Sequence, residues 1–388
     1  MRWRARCAPA AAGRDLSARP RAVSRSPKPT AGAAVDWGFA GTVGARLARP
    51  GPPATDYTLR QVIDDLTGSA RAAEGPVRDV TGLSGDAPVA EASVVDRPEW
   101  IRAASDSMRA LTGGGGLPVR PGPDPTGPVA GRLTARVTGA QTGAILAFVS
   151  SGILGQFDPF GGGETGDGRL LLVYPNVIAV ERQLRVMPRD FRLWVCLHEV
   201  THRVQFTANP WLAHYMSRAV GVLTSGGGPD FADVAGRLTD LIRERRTGQS
   251  AGTGGTGGTG GLVGFLRALQ SEPQRAALDQ LMALGTLLEG HADYVMDAVG
   301  PAVVPTVEQI RRRFNDRRHR QQSPPQRLLR ALLGVDAKLS QYTRGRAFVD
   351  QVVGRVGMKR FNAVWSGPEN LPLSDEIENP QRWIDRVL

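Results

Sequence analysis

Apolar positions recur at helical spacing along most of this chain, and the stretch Leu193–Phe206 shows it most strongly. Its flanks are apolar and free of Gly and Pro, so the spacing predicts one buried helix, opened by Pro188 and Asp190 as first-turn residues. Similar periodicity predicts helices over Tyr57–Leu66, Arg97–Met108, Thr134–Ile153 and Trp211–Leu223. Further helices are expected near Asp230–Arg245, over residues 262–299 and through Leu328–Phe348. A single clear strand stands out, Leu170–Tyr174, bounded by Gly168 and Pro175. Between these runs lie breaks. Leu111–Pro128 is a Gly/Pro-rich connector, and Gln156–Phe160 with Gly161–Gly168 reads as a turn-rich loop. Thr247–Gly261 is a low-complexity Gly/Thr/Ser repeat. The pattern predicts a mainly helical α+β protein with a small sheet. A tail holding Pro368, Pro372, Pro380 and Trp383 should dock on that body rather than form a domain of its own.

The Leu193–Phe206 helix carries His198, Glu199 and His202, spaced H-E-x-x-H. Residues four apart lie about 40° apart around a helix and roughly 6 Å apart along it. Both imidazoles therefore leave one face, close enough to share a metal ion, with Glu199 beside them to reach a water without being a ligand. The chain has only five histidines, which makes a chance coincidence rare. A helix whose histidines merely satisfy hydrogen bonds would leave Glu199 as a costly buried carboxylate. Uncharged neighbours such as Val200, Thr201 and Val204 suit a metallopeptidase, whereas Arg203, directly after the second histidine, departs from that context.

A catalytic metal site needs a third protein ligand and an open position. The candidate segment is Leu287–Asp297, a second helical pattern holding Glu289, His291 and Asp293. Glu289 and Asp293 share a face, and His291 points about 200° away from Glu289, so one of Glu289 and His291 can complete the site but not both. Glu289 is preferred. Gly290 beside it lacks a side chain and would let this helix approach the first one closely. The E-x-x-x-D spacing resembles the thermolysin-like gluzincins, which implies Glu289 as ligand and Asp293 as the group that hydrogen-bonds a ligand histidine.

Five segments, quoted by their first and last residues, resemble one family more closely: Val35–Ala40, Leu197–Phe206, Leu288–Asp297, Gln341–Phe348 and Leu371–Pro380 followed by Trp383. These are similar to zincin-like hydrolases named for an association with deazaflavin-coenzyme biosynthesis, and the likeness runs over about residues 35–388. It implies a zincin-like metalloprotease fold and a zinc site, without naming a reaction. It also suggests that Leu170–Tyr174 is the edge strand bordering the cleft; a plain buried strand fits the residues equally well.

Composition and charge change the picture in two places. Residues 1–34 hold seven Arg and one Lys against Asp15, and so carry +7 of the formal +11. They read as a disordered basic extension, with no apolar run suited to a signal peptide or membrane span. Without it the remaining charge is modest, which argues against nucleic acid as a partner. Residues 35–388 are expected to form one zincin-like domain with a mobile Gly-rich insertion at about 224–262. Cys7 and Cys196 cannot build a disulfide framework; Cys196 reads as a small core residue, and a cytoplasmic setting fits.

The function expected is a zinc-dependent hydrolase acting on a peptide or amide, with Zn²⁺ on His198, His202 and Glu289 and Glu199 as general base. Tyr294, His291, Tyr342 and Arg344 are candidate donors to the developing oxyanion. Two alternatives belong to other classes. One is a catalytically silent zinc-binding scaffold. The other is a polyanion-binding protein using the basic run Arg311–Arg320.

Overall fold

The computed structural model describes residues 35–85, 89, 91–112, 129–161, 168–225, 271–319 and 335–388. Its centre is the strand β3 (Arg169–Val173), flanked by β1 (Ala92–Val95) in parallel and by β2 (Gly155–Asp158) in antiparallel pairing, in the order β1-β3-β2. β3 alternates between two cores, as a strand covered on both faces must. Leu170 and Leu172 enter one apolar cluster with residues of α2 (Asp56–Thr81), α5 (Tyr174–Leu184) and α6 (Pro188–Ala208). Leu171 and Val173 enter another, against Trp100 and Ile101 of α3 (Arg97–Thr112) and Ala147 of α4 (Val129–Val149). In front of these, α1 (Trp37–Leu47) packs on α4 with Gly44 against the Gly143 carbonyl, where an added Cβ would come within 2.8 Å of that oxygen.

The strand expected from the sequence is therefore present, but as the buried middle of the sheet. The edge bordering the cleft falls to β2, in a stretch whose Gly, Pro and Asp content reads as a loop. β1 also escaped the sequence reading, because four partly covered residues carry too little period to show. Tyr174 opens α5 rather than ending the strand.

α6 begins as its sequence dictates. Pro188 takes the first turn, where its missing N–H costs nothing, and Asp190 favours the positive end of the helix dipole. Asp190 also accepts from Thr306 N and Oγ1, which ties the helix start to the segment just before Val307. After α7 (Trp211–Ser225) comes α8 (Glu272–Ala298), a single long helix opened by the Ser271/Gln274 capping box. It is followed by α9 (Val307–His319) and α10 (Val335–Val356). The short helices α11 (Met358–Phe361), α12 (Ser374–Glu378) and α13 (Pro380–Val387) close the chain. A third cluster joins Leu284 and Leu287 of α8 to Phe348, Phe361, Trp365 and Trp383, so the C-terminal segment is packed into the body. The expected helix near Asp230–Arg245, the Gly-rich repeat, the basic extension and most of the Leu111–Pro128 connector lie outside the described residues.

Gly290 allows a close approach, though to a different helix from the one expected. A Cβ on Gly290 would sit 2.1 Å from the Gly345 carbonyl carbon, and one on Gly345 would sit 2.0 Å from Thr286 O. Two glycines thus press α8 and α10 together backbone to backbone.

Candidate metal centre

α6 and α8 cross so that three side chains converge. His198 Nε2 stands 3.3 Å from His202 Nε2, and Glu289 Oε2 lies 3.3 Å and 3.7 Å from the two nitrogens. The three ligating atoms fall within 4.8 Å of one another, and among the described residues this is the one group of His, Cys, Asp and Glu so arranged. Two donors held about 2.0–2.1 Å from one ion at the tetrahedral angle stand roughly 3.3 Å apart, which matches the nitrogen spacing. The donor chemistry fits as well. Two imidazole nitrogens and a carboxylate oxygen are the ligand types zinc takes, and three such atoms face one point.

The electrostatics follow from burial and proximity. Burial opposes the charged form of Glu289, but hydrogen bonds from His198 and His202 and their positive charge outweigh it. The carboxyl therefore lies well below its ordinary range. Burial likewise works against a charged His202, yet Glu289 raises its pKa overall.

Glu199 is buried at 7% exposure and sits under the edge strand. A Cβ added at Gly155 of β2 would lie 2.6 Å from Glu199 Cγ and 2.9 Å from Cδ. The strand backbone can cover this carboxylate only because residue 155 has no side chain. An isolated Gly inside a strand is the sequence signal for such an approach, and it went unread because β2 itself did.

The histidines, Glu199 and Glu289 line a cavity of about 510 Å³, bounded also by Leu154, Phe157 and Phe206. Asp293 lines it too. Its carboxylate receives Arg311 Nη1 at 2.6 Å, and Arg346 lies 3.8 Å away. Gln205 makes a hydrogen bond to one of the candidate ligands: its Oε1 stands 2.9 Å from His202 Nδ1. It is three residues beyond His202 on the same helix, a spacing that could have flagged it.

A match to the zincin-like metallopeptidase description spans residues 35–384. The chain belongs to the zincin-like metallopeptidase family. A solved structure from Chloroflexus aurantiacus, described as "a putative hydrolase with a novel fold", is 29% identical. The likeness covers 91% of this chain and 98% of that one, with a TM-score of 0.60. No curated protein matches the chain.

The remaining candidates of this zincin-like protein fall at varied distances from the trio. His291 is fully buried, stacked at 5.5 Å on Phe361 and edge-on to Trp365, with Gln205 Nε2 3.0 Å from its Nδ1. Burial, then the positive charge of His202, push its pKa down to about 3. Burial thus favours the neutral ring, which stands two hydrogen bonds behind His202, through Gln205. Tyr294 faces away, under the Arg346 guanidinium at 5.4 Å, and burial raises its pKa. Arg344 is exposed and pairs with Glu378 at 3.4 Å. None of these three is among the described residues bounding the cavity. The Tyr342 side chain lies outside the described residues.

Arg203, the residue that departs from the usual metallopeptidase context, points away from the centre. It is 2% exposed, and its Nη1 donates to both oxygens of Glu74 on α2 at 2.7 and 2.8 Å. Its charge is spent on helix packing. Cys196, fully buried with its thiol pushed upward in pKa by desolvation and then by Glu199, packs against Leu66 O as a core residue. His214 is exposed on α7 and donates to Pro210 O at 3.3 Å. In the basic run, Arg311 is held by Asp293 and Asp297, while Arg313 donates to Leu184 O and Arg185 O at the end of α5. Two cations of the polyanion alternative are thus engaged inside the fold. Among the described residues no helix is long and apolar enough to cross a membrane.

Proposed function

We propose that this zincin-like protein is a zinc-dependent peptidase that hydrolyses an internal amide bond of an extended peptide. The observation that carries the reading is the convergence of His198, His202 and Glu289 at ligand spacing, with Glu199 beside them and roofed by β2. Zinc bound there would act as a Lewis acid, lowering the pKa of a water towards neutrality and polarising the substrate carbonyl. Glu199, outside the ligand trio, accepts the water's proton and returns it to the leaving nitrogen. Asp293, expected to hydrogen-bond a ligand histidine, pairs with Arg311 and Arg346 instead, and Gln205 makes the bond to His202. β2 lies at one edge of the sheet, beside the cavity, and an extended peptide would add to it as a further strand. The likeness to hydrolases named for a deazaflavin coenzyme adds no reaction to this.

The test is metal content together with turnover. Purified protein should hold about one zinc per chain, and His202→Ala should lose it. Glu199→Gln should keep the metal and lose at least about 10²-fold in rate on whichever library peptides the wild type cleaves. Zinc content unchanged in His202→Ala removes the site. Zinc binding without any peptide turnover by the wild type leaves a silent scaffold and removes the peptidase.

A further inference from the structure

Gln205 lies behind the ligands, and its hydrogen bonds determine which way round its amide points. Nε2 approaches Leu288 O at 3.1 Å. A carbonyl only accepts, so that atom must be the NH₂ group. The other N–H of the same group reaches His291 Nδ1 at 3.0 Å, so His291 Nδ1 is the unprotonated nitrogen. Oε1 is then left to face His202 Nδ1 at 2.9 Å, and an amide oxygen only accepts. His202 must carry a proton on Nδ1, which leaves Nε2, the nitrogen turned toward His198 and Glu289, as the one that can offer a lone pair to a metal. The chain of three is wholly buried at Gln205 and His291, both at 0% exposure, so water does not compete for these bonds.

The geometry points to Gln205 as a positioning residue: seated by Leu288 O and by the unprotonated Nδ1 of His291, it locks His202 in the tautomer whose Nε2 can bind the metal. This rests on the zinc site proposed above and adds to it the device that prepares one ligand. It also gives His291 a part that its separation from the cavity would not suggest. The ring is the acceptor that keeps the Gln205 amide from flipping, and its own Nε2, which has no hydrogen-bond partner among the described residues, is enclosed with the rings of Phe361 and Trp365.

Two measurements test the assignment. In zinc-loaded wild-type protein labelled with ¹⁵N-histidine, long-range ¹H–¹⁵N spectra should show His202 protonated at Nδ1 and His291 protonated at Nε2. A proton on His291 Nδ1, or His202 bound through Nδ1, overturns the proposal and needs no variant that might misfold. Competition with a chelator supplies the second. Gln205→Met, which removes both acceptor and donor at similar volume, should weaken zinc binding about 10- to 100-fold. Gln205→Glu keeps an acceptor for His202, and His291 can shift its proton to meet it, but the second carboxylate oxygen faces Leu288 O without a donor, so affinity should fall less than in Gln205→Met without fully returning to wild type. Equal affinity for Gln205→Met and wild type sinks the positioning role while leaving the zinc site standing. A wild type that binds no zinc removes the site, and this role with it.

Discussion

Replacing Gly155 by Ala would separate the proposed base from the metal ligands. The new methyl would lie 2.6 Å from Glu199 Cγ, 2.9 Å from Cδ and 3.0 Å from Leu171 O. Carbon atoms in contact settle at about 3.5–4.0 Å, so something must move by roughly 1 Å. Leu171 is backbone in the central strand, paired to Gln156 of β2, and yields little. Glu199 is the movable partner, being the end of a side chain. The packing penalty should thus stay near the ordinary cost of a small-to-large change, about 1–3 kcal/mol. The functional penalty should be larger. A reacting group displaced by about 1 Å loses on the order of 10²-fold in rate, which is about 2.7 kcal/mol of barrier. Zinc should remain, because none of the clashing atoms belongs to His198, His202 or Glu289. The assay pairs kcat on peptides cleaved by the wild type with zinc content and thermal melting of the same preparation. Combining Gly155→Ala with Glu199→Gln should be no worse than Glu199→Gln alone, since both act through one carboxylate. Full kcat in Gly155→Ala, or loss of zinc along with activity, would refute the reasoning.

Two further changes probe the frame. Glu74→Ala strands the buried Arg203 guanidinium and should cost about 3–5 kcal/mol in urea unfolding, whereas Glu74→Leu with Arg203→Met should be much milder. Additive losses in that cycle would show the pair to be independent, and zinc content should not change in either protein. Gly345→Ala places a methyl 2.0 Å from Thr286 O, backbone against backbone. α8 and α10 must separate by more than about 1 Å, at a cost of about 3 kcal/mol or more, and zinc affinity should fall because Glu289 rides on α8. Unaltered melting would mean that the two helices are not pressed together as described.

Much of the centre was legible because its logic is local. His198, Glu199 and His202 sit on one helix, and a helix places i and i+4 on one face whatever surrounds it. Glu289 was harder. Its rotation against His291 follows from helix geometry alone, which shows that the two cannot share an ion but not which one faces α6. The contact partners of Gly290 and the direction of Arg203 were likewise hidden. A small residue announces a close approach without naming its partner, and a charge on an apolar helix announces a counter-ion without locating it. Glu74, more than a hundred residues upstream, supplies that counter-ion.

By itself, the order of residues determined a mainly helical chain, one strong strand, and a pair of imidazoles with an acid between them. Those features arise from backbone periodicities that repeat every two or 3.6 residues and need no distant partner. Tertiary packing decided everything that depends on two segments meeting. It set β3 in the middle of the sheet and β2 at its edge, laid Gly155 over Glu199, and brought Glu289 to the histidines. It also joined Gln205 to both His202 and His291. Such meetings are resolved by the burial of whole faces, where cores from distant segments compete for the same apolar surface, and no window along the chain contains both sides of that competition.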